Sequence, residues 1–430
     1  MNIKETLDYI DHNGKFGIKL GLENMQRLCQ YLGHPERNLT FIHVAGTNGK
    51  GSFSTMLSAI LTEAGYKTGL YTSPALMTFN ERIRFNMIPV SDTLLAEKAT
   101  LIKSVCHTLT QEGFPHPTGY EIETALAFVC FKTLKTDLCI LEVGMGGRLD
   151  ATNIIPPALL SVIMSISKDH TDYLGTTLSA IAHEKAGIFK AGTTALIYPQ
   201  KSSVALHTLV EDAHKKAIPV IQTNASSIEV LQQGPEGQVL VFSDEHPLIH
   251  LLLTLNLAGR YQPLNALTVL KAVQFLREKG YRLSDEAVKT ALSSVTFAGR
   301  FETLHNAPHI LIDGAHNVDG ILSLVESLKH YYPQEKFNFF LGMLVDKDIY
   351  GALDLLMPLA QEVYTLTPDN ARALDAKSLA KLITARYHFP ARPFMAYEEA
   401  VTYALNQKKE SHNIFAGSLY MIGKIKSYLT

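Results

Sequence analysis

The segment Gly46-Thr47-Asn48-Gly49-Lys50-Gly51-Ser52 constrains this chain more than any other. The apolar run Phe41-Ile42-His43-Val44-Ala45 before it reads as a buried strand. After it, Phe53, Met56, Leu57, Ile60, Leu61 and Ala64 recur at helical spacing, and Gly65 supplies a stop. Strand, glycine loop and helix, with a lysine at the end of the loop, is the context that holds phosphates. The loop amides and the helix N-terminus face the phosphate oxygens, and Lys50 adds a mobile positive charge. The pattern is irregular in two places. Val44 stands where its first glycine would be, and Gly51 stands where a Mg2+-binding hydroxyl normally follows the lysine. That hydroxyl must then come from elsewhere in the chain. The competing reading is a plain glycine-rich turn between a strand and a helix.

A chain of 430 residues exceeds one ordinary core, so two or more domains are expected. With 46% apolar residues, 19% charged residues and a net charge of −2, the composition is that of an ordinary soluble protein. It offers no basic excess for nucleic acid and no lysine/arginine block for an anionic membrane. The apolar runs stop well short of a bilayer span. Acids occur early, in Met1-Asn2-Ile3-Lys4-Glu5, with no signal-like apolar core, so a cytosolic protein is expected. Cys29, Cys106, Cys130 and Cys139 are widely spaced in apolar segments and read as reduced core thiols.

Residues 1 to about 40 read as two helical pieces joined by a glycine-rich loop at 13–21. From Phe41, apolar runs at 41–45, 138–143, 159–166 and 194–198 alternate with helical patterns near 53–64, 92–112, 121–135 and 203–217. Such alternation predicts a parallel sheet covered on both faces. Residues 228–255 suggest a small antiparallel addition, and a helix over 264–278 follows. A second α/β unit opens near Thr296, with strands at 310–312, 337–341, 363–366 and 414–416 and a last helix at 419–429. The short break at 296–299 places the two units face to face across a cleft, as an expectation.

Several polar groups sit at the carboxyl ends of these strands, the edge where open α/β sheets gather ligands. Glu142 ends the run Leu138–Val143, and an acid beside a phosphate loop suits Mg2+, which takes oxygen ligands. A structural partner for an arginine is its other reading. His170, in Ser165–Asp172, is a candidate metal ligand or a structural histidine. Lys185 stands near a helix C-terminus, where the dipole alone favours a solvated lysine. In the second unit, Arg300 could bind phosphate and Asp313, in Asp313-Gly314-Ala315-His316-Asn317, could take ribose hydroxyls. Plain salt bridges are the alternative for both. Lys347-Asp348 adds a further charged pair in that unit.

Taken together and in order, these stretches resemble the folylpolyglutamate synthase and dihydrofolate synthase family, a branch of the Mur ligases. The matching stretches are 46–52, Thr72-Ser73-Pro74, Asn80–Ile83, Leu141–Asn153, Asp169–Gly175, Glu184–Phe189, Asn265, Gly299–Glu302, Asp313–Asn317 and Ala416–Ser418. The resemblance implies a P-loop ATPase domain at 1–297 with a mainly parallel sheet and a small antiparallel addition. It implies a Rossmann-like glutamate ligase domain at 298–430. It further implies an ATP-dependent, ADP-forming ligase that adds L-glutamate to a reduced folate, or to dihydropteroate, through an acyl phosphate.

By the same resemblance, Thr47, Asn48, Gly49, Lys50, Gly51 and Ser52 hold the ATP phosphates. Asn265 contacts the nucleotide, Arg300 its phosphates and Asp313 its ribose. Ser73 and Glu142 ligate one Mg2+, which answers the missing hydroxyl at Gly51. His170 serves a second Mg2+, with Lys185 carrying a carbamate (N6-carboxylysine) as an anionic ligand. Lys50, His170 and Lys185 are the implied catalytic residues. Thr118, Leu149, Asp150, Ala151 and His316 are the implied substrate contacts, the first four matching positions that bind dihydropteroate in bifunctional members. A monomer is expected. Departures from the family are Ala75 for a histidine, Tyr261 for a histidine, Ala298 for a proline, and Lys19 for an aspartate of the dihydropteroate-using members. The last favours polyglutamylation. Two other functions stay open at this point: a cell-wall Mur-type ligase, which needs a longer N-terminal domain, and a nucleotide switch or transport ATPase.

Overall fold

The computed structural model describes residues 1–14, 21–245 and 248–430, so Lys19 lies outside the described residues. Spatial contacts divide the chain into two compact units. The first comprises residues 1–167, 171–227 and 264–292, and the second residues 168–170, 228–263 and 293–430.

The first unit is built on an eight-stranded sheet. Its strands are β1 (Phe41–Ala45), β2 (Thr68–Tyr71), β3 (Ile83–Phe85), β4 (Ile88–Pro89), β5 (Leu138–Glu142), β6 (Leu160–Ile163), β7 (Thr194–Ile197) and β8 (Val220–Gln222). They lie in the order β4-β3-β2-β5-β1-β6-β7-β8. From β2 to β8 neighbouring strands are parallel, while β3 and β4 fold back as an antiparallel edge. Every residue of β1, β2, β5 and β6 is buried, as expected for parallel strands covered on both faces. One face packs Phe41, Tyr71 and Leu141 against Phe128 and Phe131 of the helix Gly119–Leu134. Further along the same face, Ala45, Ile163 and Ile197 pack against the helices Leu178–Ala186 and Ser203–Lys215, because the register of β1, β5, β6 and β7 keeps these residues on the side of Phe41 and Leu141. β1 sits at the switch point: the chain leaves it for β2 on one side and later returns to β6 on the other.

The sequence pattern starts the helix after the glycine loop near residue 53, yet it begins at Lys50 and runs to Glu63. Gly49 caps it at φ +88°, a left-handed conformation that glycine adopts without penalty, so the turn tightens sooner than apolar spacing suggests. β2 escapes the pattern because Thr-Gly-Leu-Tyr is short and contains a glycine. A Cβ on Gly69 would lie 2.7 Å from the Phe131 ring, so this glycine exists to let that ring in.

The second unit holds a three-stranded antiparallel sheet of β9 (Ile228–Gly234), β10 (Gly237–Glu245) and β11 (Leu248–Leu255). Leu251, Leu253 and Leu255 point inward while Leu252 is exposed, the period of two that a half-buried strand requires. Its larger sheet has the order β12-β13-β17-β14-β15-β16, with β12 (Glu302–Asn306), β13 (His309–Asp313), β14 (Phe337–Leu341), β15 (Ala360–Thr365), β16 (Ala391–Pro393) and β17 (His412–Ala416). Only β12 runs antiparallel to its neighbour. Leu311, Phe337, Phe339, Leu341 and Ile414 form its core with Ile321, Leu324 and Leu328 of the helix Val318–Tyr331. All four cysteines are buried and unpaired. Among the described residues, no helix is long and apolar enough to cross a membrane.

Candidate active site

The carboxyl edge of β5-β1-β6 carries the glycine loop. Thr47 is tied to the segment after β6 from both ends: its amide donates to the Ser165 carbonyl at 2.7 Å and its hydroxyl to the Ser167 carbonyl at 3.0 Å. The Ser165 hydroxyl donates to the Asn48 carbonyl at 3.2 Å. With the loop so held, the Lys50 ammonium folds back to the carbonyls of Gly46 and Thr47 at 3.1 and 3.2 Å. It also lies 3.9 Å from the Glu142 carboxylate, which is buried at the end of β5. The other Glu142 oxygen accepts the Ser73 amide at 3.3 Å.

Lys185, buried near the C-terminus of the helix Leu178–Ala186, donates to the Gly46 carbonyl at 2.9 Å. Two lysines thus meet on one loop carbonyl, beside one carboxylate. The solvated-lysine reading of Lys185 is excluded by its burial. Arg148 braces this helix end: its guanidinium bonds Glu184 through two nitrogens, and its amide donates to the Glu184 carbonyl. Asn265, on the helix Gln262–Glu278, reaches the loop as well. A Cβ on Gly49 would lie 2.8 Å from its Oδ1, so only glycine admits this approach.

On the same unit, Thr118 and Asp150 have structural duties that the sequence reading did not assign. Thr118 is the N-cap of the helix Gly119–Leu134 in a capping box with Glu121, whose amide donates to the threonine hydroxyl at 3.3 Å. Asp150 caps the turn Ala151–Ile154 and accepts from the Thr152 amide and hydroxyl at 3.0 and 2.6 Å. Burial pushes its carboxyl up, while these donors pull it down. Leu149 is half-buried and Ala151 buried beside it.

In the second unit, Asp313 ends β13 and accepts the amides of Ala315 and Phe301 at 2.7 and 2.8 Å. Burial raises its carboxyl, against the lowering pull of Arg300 and of the Tyr261 hydroxyl. Arg300 lies over the Phe297 ring at 5.6 Å and against Gly314. His316 donates its Nδ1–H to the Gly314 carbonyl, 2.8 Å away; burial and Lys347 push its pKa down to about 4, so it is neutral at pH 7.

The segment 168–170 groups with this unit. Asp169 binds the Lys347 ammonium at 2.5 Å and the Asn317 side chain at 3.1 Å, with His170 and His316 each 3.9 Å away. Burial would raise its carboxyl, but His170, Lys347 and His316 hold it well below the usual range. Asp169, Asn317, Tyr261 and Tyr120 were not among the residues picked from sequence. Asp169 and Asn317 lie inside stretches that the resemblance covers and Tyr261 is one of the departures from it, while Tyr120 left no signal of its own.

Residues 44–273 match the Mur ligase middle domain, and residues 299–418 match the Mur ligase glutamate ligase domain. The dihydrofolate synthase/folylpolyglutamate synthase of Bacillus subtilis is 36% identical over 434 residues, covering 99% of each chain. The chain belongs to the folylpolyglutamate synthase and dihydrofolate synthase family of Mur ligases. A Mycobacterium tuberculosis folylpolyglutamate synthase solved with ADP superposes on this ligase with a TM-score of 0.89 at 30% identity, over 100% of this chain and 99% of that one. An Escherichia coli relative solved with DHPP and ADP gives 0.86 at 29% identity, over 100% and 97%. This ligase is therefore an ATP-dependent enzyme of the Mur type.

Proposed function

We propose that this ligase joins L-glutamate to the carboxylate of a reduced folate, with dihydropteroate as a second acceptor. The observation that supports this most directly is the meeting of Lys50, Lys185, Glu142 and Ser73 around the Gly46–Gly49 loop. A carboxylate oxygen of the acceptor attacks the γ-phosphorus of ATP, and ADP leaves. The amine of glutamate then attacks the acyl phosphate carbon, the C–O bond breaks, and phosphate departs as the amine proton passes to solvent. No protein nucleophile is needed. In this reading residues 1–297 form the ATP-binding domain and 298–430 the glutamate ligase domain. Thr47 to Ser52, Asn265, Arg300 and Asp313 bind ATP, and Lys50 offsets charge on the transferring group. Thr118, Leu149, Asp150 and Ala151 contact dihydropteroate, and His316 contacts substrate beside Lys347.

The residues present suit Mg2+, a hard cation that takes oxygen ligands and shares them with phosphates and water. Glu142 offers a buried carboxylate next to the loop, and Ser73 the hydroxyl that Gly51 lacks. Ser73 and Glu142 would hold one ion, and His170 with Lys185 as N6-carboxylysine a second. Bound there, Mg2+ supplies Lewis acidity and charge neutralisation at the phosphates. Burial disfavours the ammonium form of a lysine, and a neutral amine adds CO2 with loss of a proton to give the carbamate.

We take the enzyme to act as a cytosolic monomer. The test is phosphate release with each component omitted in turn. Release is expected only when ATP, glutamate and a folate or pteroate are all present. Turnover without the pterin, or without glutamate, would sink the proposal and favour a switch or transport ATPase.

A further inference from the structure

The loop after β5 and the end of the helix that carries Lys185 lie against each other along a seam. The Arg148 amide donates to the Glu184 carbonyl at 2.8 Å. Gly147 comes so close that a Cβ there would stand 2.8 Å from the Lys185 carbonyl oxygen and 2.9 Å from that of Glu184. Asn153, in the turn Ala151–Ile154, closes the seam from within. It is buried, and its Nδ2 donates to the Arg148 carbonyl on the loop side and to the Gly187 carbonyl on the helix side, each at 3.1 Å. A carboxamide nitrogen carries two N–H groups, so this one is used in full. Its Oδ1 accepts from no described residue, so the side chain acts here through those two N–H groups. The Asn153 backbone is held as well, its carbonyl accepting the Lys190 ammonium at 2.6 Å.

What lies between the two ends of this bridge gives it a role. Gly187 is the C-cap of the helix Leu178–Ala186, and Lys185 stands in the last turn. Carbonyls at a helix C-terminus have no partner within the helix, so the donors that reach them from outside set where the turn lies. On the loop side those donors are the Arg148 amide and the Asn153 side chain. Lys216 reaches the carbonyls of Ala186 and Phe189 at 3.4 and 2.9 Å, but it ties them to the end of the helix Ser203–Lys215 rather than to the loop. From the turn so placed, the buried Lys185 ammonium meets the Gly46 carbonyl at 2.9 Å. That is the favoured length for such a bond, and a shift of the turn by about 0.5 Å takes it past the usual range.

We infer that Asn153 is a positioning residue: by bridging the carbonyls of Arg148 and Gly187 it fixes the end of the helix Leu178–Ala186 and so holds Lys185 on the Gly46 carbonyl of the phosphate loop. The inference rests on the role proposed for Lys185. Asn153→Ala removes both bonds and touches no proposed ligand. Its kcat is expected to fall about three- to tenfold, the scale of one lost hydrogen bond. A residue that acts through Lys185 has nothing left to hold once Lys185 is gone. Adding Asn153→Ala to Lys185→Ala is therefore expected to change kcat by less than about twofold. The rise in unfolding temperature that ADP gives is expected to follow the same pattern, smaller in Asn153→Ala and no smaller in the double variant than in Lys185→Ala. An unchanged kcat in Asn153→Ala, or a fall of equal size in both backgrounds, overturns the inference, the second outcome marking a scaffold residue only. If Lys185→Ala itself leaves kcat unchanged, the role proposed for Lys185 is wrong and the inference goes with it. If Lys185→Ala is impaired and Asn153→Ala is not, that role stands and only the positioning fails. Should Asn153→Ala not fold, Asn153→Ser, which keeps one donor for one of the two carbonyls, carries the same comparison.

Discussion

Lys185 and His43 show how one side chain's surroundings overrule its usual behaviour. A lysine near a helix end is normally solvated, but Lys185 is buried with its ammonium on the Gly46 carbonyl. Removing it should therefore disturb the phosphate end of the site rather than the surface. Lys185→Ala is expected to lose at least about a hundredfold in kcat, the scale of one lost electrostatic contact to the reacting group. Added formate or acetate should restore part of that loss, measured as ADP release. Full activity without an additive would remove the carbamate from the proposal. His43, in the middle of β1, is buried with Nε2 2.9 Å from the Thr152 hydroxyl. Burial, helped by Lys190, pushes its pKa down to about 3. The folded value lies below the unfolded one near 6.5, so the unfolded chain takes the proton first as pH falls. Stability from a neutral His43 is whole above about pH 6.5 and is lost as pH drops toward 3. Between pH 7 and 5 the loss should be about 2 kcal/mol. Urea unfolding at both pH values should show His43→Gln losing less than the parent protein; equal losses would exclude His43 as the source.

At the scale of elements, β2 carries a lesson about glycine. Its neighbours β3 and β5 fix it on both sides, and Gly69 opens the space that Phe131 fills. Gly69→Ala places a methyl 2.7 Å from that ring, in a core that cannot yield without moving the helix Gly119–Leu134. Overpacking of this kind costs about 1–3 kcal/mol. A lower urea midpoint is expected, and an unchanged one would mean that the helix shifts freely. The helix after the phosphate loop and the strands β1, β5, β6 and β7 are legible from spacing alone, because their apolar runs are long and bounded by glycine or polar turns. β2, β8 and the β3–β4 edge are not. Their apolar runs are short or broken by glycine, proline or a polar residue, and their extended state comes from pairing with a neighbour rather than from their own residues.

For the whole molecule, nucleotide binding and stability are linked. A ligand that binds only the folded chain stabilises it by about 2.7 kcal/mol at a hundred times its dissociation constant. ADP or a non-hydrolysable ATP analogue should raise the unfolding temperature by several degrees. Lys50→Ala should lose most of that rise while unfolding at nearly the parent temperature without nucleotide. The same rise in both proteins would separate Lys50 from the phosphates.

What the sequence determines by itself is local. The strand, loop and helix around Gly46–Ser52, the alternation that demands a covered parallel sheet, and the ordered set of short motifs all lie within stretches of a few tens of residues. Periodicity and turn chemistry act over that range, so they survive being read without a structure. Which groups meet across longer separations belongs to the tertiary structure. Lys185 reaches a carbonyl 139 residues away, and Lys347 pairs with an aspartate 178 residues away. Tyr120 bonds the carboxylate of Asp150, 30 residues on. Such contacts depend on strand order and on the packing of helices over the sheet, and no local pattern encodes the geometry that closes them.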